Sequence, residues 1–293
     1  MKIAFIVNPK SGKAGKNNEI LKIVREFTRG RGLDANIFVT KHKGHPNRLA
    51  EDAKLAGFKR IIVVGGDGTI NEVANAIVGS EIEIGIVPCG SGNGLARHLN
   101  IPLDVDRALN IATGCSIEHI DCGKVGDRCF FNVMGIGIDA AICRSFENSN
   151  RGLFSYIKAG LVTFNRYKTN IYKIVVDGKS TRNELCMIAI ANSSQYGNSA
   201  YIAPSASVRD GIFRMVYLNK PSWLRLLLLA YRLFFQTIER ANFVTSLDAK
   251  SILVSSNDSF LFHLDGEIQP ATTHLEISLI PSCLRVVSNG ESF

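Results

Sequence analysis

The chain has 293 residues, room for one large domain or two ordinary ones, and its 46% hydrophobic and 20% charged residues exclude a disordered chain. The net charge of +8 favours anionic partners, but it clusters only at 10–16 and 41–48, which argues against a nucleic-acid-binding face. Seven cysteines with no C-x-x-C pair exclude a disulfide framework or thiolate metal site and point to reduced thiols in a cytosol.

In chain order, the apolar run Ile3–Val7 reads as a strand and is too short for a signal peptide. Residues 18–28 carry Ile20, Leu21, Ile23, Val24 and Phe27 at helical spacing. Strands are predicted at 35–40, 61–64 and 83–87, and helices at 47–55, 69–78, 94–99 and 105–112. Such alternation implies βαβ units and a mostly parallel, doubly wound sheet. Near residue 120 the rhythm changes. Runs at 121–125, 128–135, 172–176, 185–192, 213–218, 251–255, 260–264, 274–279 and 284–287 read as strands. Asp177-Gly178, Asp210-Gly211 and Asp265-Gly266 supply turn signals between some of them. Helical signals remain only at 152–167 and 222–240. The expected fold class is α/β plus β. An N-terminal doubly wound parallel-sheet nucleotide domain spans 1–120. A C-terminal mainly antiparallel β-sandwich spans 121–293, its last strand free to return to the first domain. A cleft between the halves is the expected ligand site.

Three glycine-rich turns follow strands of the first half. Asn8, Pro9, Lys10, Ser11 and Gly12 open the first, which is not a P-loop because position 10 is Lys and position 17 is Asn. The second is Gly65-Gly66-Asp67-Gly68-Thr69-Ile70-Asn71-Glu72, where Thr69 and Glu72 have capping-box spacing and should start a helix. The third is Pro88-Cys89-Gly90-Ser91-Gly92-Asn93-Gly94. Glycines that admit a ligand closely, at a helix N-terminus, suit phosphate. Carboxyl ends of strands are where an open α/β sheet binds its ligand, so the three turns together predict a nucleotide site. G-x-G-x-x-G with a downstream acid is absent, which disfavours dinucleotide redox chemistry. Asp67 needs a reason in such a cradle: a cation, a ribose hydroxyl, or a purely structural turn.

Gly65-Gly66-Asp67-Gly68-Thr69 with Asn71-Glu72, followed by Pro88-x-Gly90-Ser91-x-Asn93, resembles the diacylglycerol kinase catalytic domain, a group that includes bacterial soluble lipid kinases and the sphingosine and ceramide kinases. Asn8-Pro9-x-Ser11-Gly12, Phe131-Asn132-x-x-Gly135-x-Gly137-x-Asp139, Asp210-Gly211 and Asp265-Gly266-Glu267 extend the likeness over nearly the whole chain. The resemblance implies that Asn8 to Gly12, Thr40, Gly65 to Glu72, Gly90, Ser91 and Asn93 hold ATP. It implies that Glu267 is the base taking a lipid hydroxyl's proton, with Asp67 and Asp121 serving the catalytic Mg²⁺. It also implies a structural Mg²⁺ on Asp210 with the carbonyls of Ser207 and Ile212. Read from residues alone, Glu267 is equally an exposed turn glutamate, Asp210 a type I′ hairpin residue and Asp121 a polar strand end. One departure stands out: soluble bacterial diacylglycerol kinases often carry aspartate where this chain has Gly94.

Residues 223–236 are apolar and aromatic, with Arg225 and Arg232, and are too short to span a bilayer. They suit either a membrane interface or a buried core helix. The expectation is an ATP- and Mg²⁺-dependent kinase of a lipid hydroxyl, cytoplasmic and peripheral at the inner membrane face. It has no nucleic-acid partner, and its oligomeric state, homodimer included, is open. The alternatives are a soluble-metabolite kinase resembling NAD kinase and a non-catalytic nucleotide- or lipid-binding homologue.

Overall fold

The computed structural model describes residues 1–11, 17–146, 162–164 and 167–290. Gly12, the lysines that follow it, and most of the helix expected at 152–167 lie outside the described residues. The chain divides into two compact units, Met1–Ile120 with Ser282–Phe293, and Asp121–Pro281.

The first unit alternates β1 (Ile3–Val7), α1 (Asn17–Gly30), β2 (Ala35–Val39), α2 (His45–Leu55), β3 (Arg60–Gly65), α3 (Asp67–Ile77), β4 (Glu83–Pro88), α4 (Gly94–His98) and α5 (Val105–Ala112). Its strands lie in the order β2-β1-β3-β4, all parallel, with Ile3 opposite both Ala35 and Arg60, and Arg60 opposite Glu83. Beyond β4, Arg285 and Val286 near the chain's end add a further parallel pairing. β1 and β3 are buried along their whole length, which explains why they read as unbroken apolar runs rather than alternating ones. A Cβ at Gly85 would come within 2.9 Å of the Ala112 Cβ, so this glycine lets α5 sit close on β4. Asp104 caps α5 by accepting the Arg107 N–H at 2.9 Å. Buried Arg60 bonds Glu83 (Nε to Oε2, 2.8 Å) and the carbonyls of Ala112 and Gly114, so its charge is paired and its donors are used.

The second unit contains β6 (Arg128–Phe130), β7 (Val133–Gly137), α6 (Ile138–Phe146), β8 (Asn170–Val176), β9 (Lys179–Leu185), β10 (Met187–Ala191), β11 (Phe213–Leu218), α7 (Trp223–Phe234) and a 3₁₀ turn (Ile238–Arg240). β12 (Thr245–Ala249) and β13 (Ser251–Leu264) complete it, and β5 (Ile117–Val125) and β14 (Glu267–Val287) run across the division between units. Antiparallel neighbours run β12-β11-β10-β7-β13, and β13 pairs along its length with β14 and through 252–255 with β8. In β10, Ile188 and Ile190 enter one core while Met187, Ala189 and Ala191 enter another on the opposite face.

Several expected strands differ in detail. The run 128–135 breaks at Phe131-Asn132, whose N–H groups bond the Asp265 side chain instead of a neighbouring strand. Segments 251–255 and 260–264 are one strand carrying register shifts, and 274–279 and 284–287 are one strand as well. Strand β9 was not anticipated: in KSTRNEL only Leu185 is buried, so its polar face hides the signal. Strand β12 and helix α6 were also missed. Helix α7 ends at Phe234, short of the expected 240, with Gln236 left-handed at φ 57° before the 3₁₀ turn.

Candidate active site

The three glycine turns stand at the carboxyl ends of β1, β3 and β4. They are tied to one another. Asn8 donates its N–H to the Val64 carbonyl (2.9 Å) and its Nδ2 to Thr69 Oγ1 (2.9 Å). The Cys89 N–H bonds the Gly65 carbonyl at 2.8 Å. Asp67 accepts from the N–H groups of Asn93 (2.7 Å) and Gly94 (2.8 Å), one on each carboxylate oxygen. Its negative charge thus has a tertiary explanation: it joins the second turn to the third. The glycines serve the same contact. A Cβ on Gly90 would lie 2.6 Å from the Gly66 Cα, so the two backbones touch. Asn93, left-handed at φ 52°, closes the third turn on itself through Gly90 in both directions at 2.9 Å.

The capping box expected of Thr69 and Glu72 does not form. Helix α3 begins two residues earlier, with Gly66 as N-cap and no side-chain cap. Thr69 is taken by Asn8, and the Glu72 carboxylate by the Gly44 N–H at 2.8 Å, while the Glu72 carbonyl accepts from Asn47 Nδ2. Side chains of a first helical turn face the neighbouring loops, whose N–H groups outcompete the local pairing. The Ile70 N–H is the first in α3 to find an i−4 carbonyl, that of Gly66 at 3.1 Å, leaving the Gly68 and Thr69 amides outside the helical ladder. Lys10 and Ser91 are exposed, and Pro9 and Ser11 are half-buried. Thr40 is buried, with its N–H on the Val7 carbonyl (2.9 Å), and buried Asn71 accepts from Asn75 at 3.0 Å. Burial pushes the Cys89 thiol up to about 11, so it is a neutral lining group and not a nucleophile.

In the second unit, Asp265 and Gly266 have φ of 49° and 84° and join Leu264 to Glu267 in a tight hairpin, as the sequence predicted. Asp265 has a further task. Its carboxylate accepts from Phe131 (2.9 Å), Asn132 (2.8 Å) and Val133 (3.0 Å), which binds the Phe131-Asn132 motif to the turn that presents Glu267. Glu267 is half-buried, 3.7 Å from Arg128 Nη2, and Arg128 in turn bonds Gln269. Replacing Asp265 by Ala strips three backbone donors of a charged acceptor. Denaturant unfolding should show a loss of about 3 kcal/mol or more, with Asp265→Asn intermediate. An unchanged unfolding midpoint in the alanine variant contradicts this role.

Asp121 is buried, and its carboxylate accepts the Gly211 N–H at 2.8 Å. Asp121 and Asp210 are therefore neighbours in one unit. Partial burial raises the pKa of Asp210 above its ordinary value; the Ile212 N–H and Arg214 oppose this, and the Asp121 charge adds to it. Asp210 is not left-handed, so the turn is not the type I′ hairpin that its sequence allows. Ser207 Oγ accepts the Arg209 N–H at 3.3 Å. Carboxylate oxygens are donors that suit Mg²⁺, and a cation on Asp210 would offset the repulsion between the two carboxylates.

One cluster escaped sequence reading. Asp139 and His263, both buried, place Oδ2 and Nε2 3.2 Å apart, and Tyr196 donates to the same Oδ2 at 2.6 Å. The Cys143 sulfur joins them, the three donor atoms lying within 4.8 Å of one another. Gly135 makes the space, since a Cβ there would stand 2.1 Å from the Asp139 carboxylate. The donor types suit a metal, but the tautomer does not. The Gly266 N–H donates to His263 Nδ1 (3.2 Å), which puts the ring proton on Nε2, the atom a metal needs. The cluster is better understood as a hydrogen-bonded support for the Asp265-Gly266-Glu267 turn. Only the 139/143 helical spacing is visible in the sequence; His263 gives no local signal.

An α/β unit with linked phosphate-type turns, followed by a β-sandwich bearing an Asp-Gly-Glu hairpin, defines a phosphotransferase class. The model of the diacylglycerol kinase catalytic domain matches residues 2–125, and that of the YegS C-terminal NAD kinase beta sandwich-like domain matches 132–288. The chain belongs to the diacylglycerol kinase catalytic-domain family, with a YegS-type second domain, and is a lipid kinase. It is 28% identical over 280 residues to a protein of Citrobacter koseri named probable lipid kinase YegS-like, covering 92% of each. It is also 28% identical to the probable lipid kinase YegS of Escherichia fergusonii, covering 96% of this chain and 94% of the relative. A solved Bacillus anthracis structure superposes with TM-score 0.82 at 24% identity, covering 99% of this chain and 95% of the other. A diacylglycerol kinase of the same organism gives TM-score 0.75 at 21% identity, with 99% and 97% covered. Both share the fold.

Proposed function

We propose that the chain transfers the γ-phosphoryl group of ATP to the hydroxyl of a membrane lipid of diacylglycerol, phosphatidylglycerol or sphingoid type. The observation that carries this reading is the linkage of three turns at the ends of β1, β3 and β4 through Asn8 and Asp67, together with a Glu267 turn held by its own dedicated acceptor network. ATP supplies the phosphoryl group, and Mg²⁺ offsets the charge of its phosphates. Asn8 to Gly12, Thr40, Gly65 to Glu72, Gly90, Ser91 and Asn93 hold the nucleotide, the Gly68 and Thr69 amides facing its phosphates and Lys10 adding positive charge. Glu267 accepts the proton of the lipid hydroxyl as its oxygen bonds phosphorus and the bond to ADP breaks. Asp121 orders the polar surroundings of the Mg²⁺, and Asp210 with the Ser207 and Ile212 carbonyls holds a structural Mg²⁺. The domains are an ATP-binding 1–120, to which the last strand returns, and a lipid-binding domain in the remainder of 121–293. The enzyme works as a cytoplasmic protein, peripheral at the inner membrane face.

The test is γ-labelled ATP with diacylglycerol, phosphatidylglycerol, sphingoid base and ceramide in mixed micelles, and with NAD in buffer. Label should enter one of the lipids, cease on chelation of Mg²⁺, and leave NAD untouched. Transfer to NAD instead establishes the soluble-metabolite reading. ATP binding with no acceptor labelled establishes the non-catalytic one.

A further inference from the structure

Helix α7 is apolar on both sides. Leu229, only 8% exposed, packs with half-buried Leu226 and Leu233 into the core beneath β10 and β11. The opposite face carries Trp223, Leu224, Leu227, Leu228, Tyr231 and Phe235, and these point outward: Leu224 is 80% exposed, Leu227 62% and Phe235 60%. The spacing 223, 227, 231 and 235 repeats every fourth residue, so the exposed side chains form one continuous ridge. Tyr231 and Phe235 stack at 4.2 Å along it. Scattered exposed leucines are ordinary; a contiguous outward ridge on a single helix calls for a covering surface.

Charge selects the surface. Between Asn219 and Ile238 the chain carries Lys220, Arg225 and Arg232 and no acid. The first acid after them, Glu239, is engaged by Ser205 and Ser246. Arg225 leans over the Phe243 ring at 5.6 Å, and Lys220 stands 5.5 Å over Phe164 while donating to the Tyr167 carbonyl. Lys220 and Arg225 are thus held at the helix start, whereas Arg232, in the last turn, is half-buried and donates Nη1 to the Thr237 carbonyl at 2.9 Å. Pairing two copies through this face would bring like charges together, because a twofold interface presents the same patch twice. Twelve residues make a rod of about 18 Å, too short to span a bilayer but long enough to lie in its interface, where Trp and Tyr are favoured.

We infer that the outer face of α7 is the docking surface of the protein on an anionic phospholipid bilayer, with the ridge entering the headgroup boundary and the exposed Lys220 and Arg225 meeting lipid phosphates. This rests on the lipid-kinase reading, since a lipid acceptor has to be reached in its bilayer. Trp223 is the chain's single tryptophan, so its emission reports the ridge directly.

The experiment is co-sedimentation with vesicles of phosphatidylcholine alone and of phosphatidylcholine with about one-third phosphatidylglycerol, with Trp223 emission recorded throughout. The full chain should bind the anionic vesicles and release in about 0.5 M salt. Trp223 emission should shift to the blue and be quenched by bromine-labelled lipid. The double variant Leu224→Glu, Leu227→Glu should bind about tenfold more weakly or worse, while Leu55→Glu, at an exposed leucine in the first unit, should bind as the parent does. Any of three results overturns the inference: binding without a Trp223 shift, undiminished binding by the double variant, or a double variant that loses a dimer and still binds vesicles. Transfer in mixed micelles needs no docking and is scored separately. Docking without transfer rejects the kinase reading alone, and transfer without docking rejects the α7 surface alone.

Discussion

Glu267→Gln should fold, bind ATP as the parent does and lose about 10²- to 10⁴-fold in kcat. The substitution keeps the shape of the side chain and an oxygen for Arg128. It removes only a partly exposed ion pair at 3.7 Å, which costs about 1 kcal/mol or less. What it takes away is the proton acceptor for the lipid hydroxyl. The loss must therefore fall on kcat and leave the KM for ATP alone. The position of Glu267 is set from behind, by Asp265 on three backbone N–H groups and by His263 Nδ1 on Gly266. A glutamate that merely decorated an exposed turn needs no such mounting. If Glu267→Gln phosphorylates lipid at the parental rate, the assignment of the base is wrong.

Asp67→Ala should cost about 3 kcal/mol of stability, because two charge-assisted bonds, at 2.7 and 2.8 Å, are lost and the Asn93 and Gly94 donors are left behind in a buried loop. For a chain of this size each kcal/mol shifts Tm by roughly 2–4 °C. Release of the third turn should also weaken ATP binding at least about tenfold, the equivalent of about 1.4 kcal/mol. Asp67→Asn should fare little better, since its amide nitrogen turns a donor towards a donor. A residue whose sole task is to meet a cation or a ribose hydroxyl behaves differently: its asparagine variant unfolds at the parental temperature and loses only transfer. Thermal unfolding of the two variants without nucleotide separates these roles.

The same residues mark how far sequence reasoning reached. The strand-turn-helix order of the first unit, its parallel sheet and the three glycine turns were legible, because hydrophobic period and glycine chemistry are local properties. Asp177-Gly178 and Asp265-Gly266 were legible as tight hairpins for the same reason, and both are left-handed pairs in the structure. Thr69 and Glu72 have a correct local signal that lost to Asn8 and Gly44, partners 61 and 28 residues away. Gly66 and Gly90 read as openings for a ligand, and the structure shows them also as the points where two backbones meet. Edge strand β9 was hidden by its polar face, and α7 could be read as core or as membrane interface; in the structure one face enters the core and the other is exposed.

The sequence by itself determined the class of fold, the places where the chain turns and the family whose chemistry those turns carry. Only the tertiary structure decided what each acid answers to: Asp67 to Asn93 and Gly94, Asp265 to Phe131, Asn132 and Val133, Asp121 to Gly211, and Asp139 to Tyr196. The reason is physical. Backbone dihedrals and helical or strand period depend on near neighbours, whereas a buried carboxylate is satisfied by whichever donors the finished fold brings within hydrogen-bond reach.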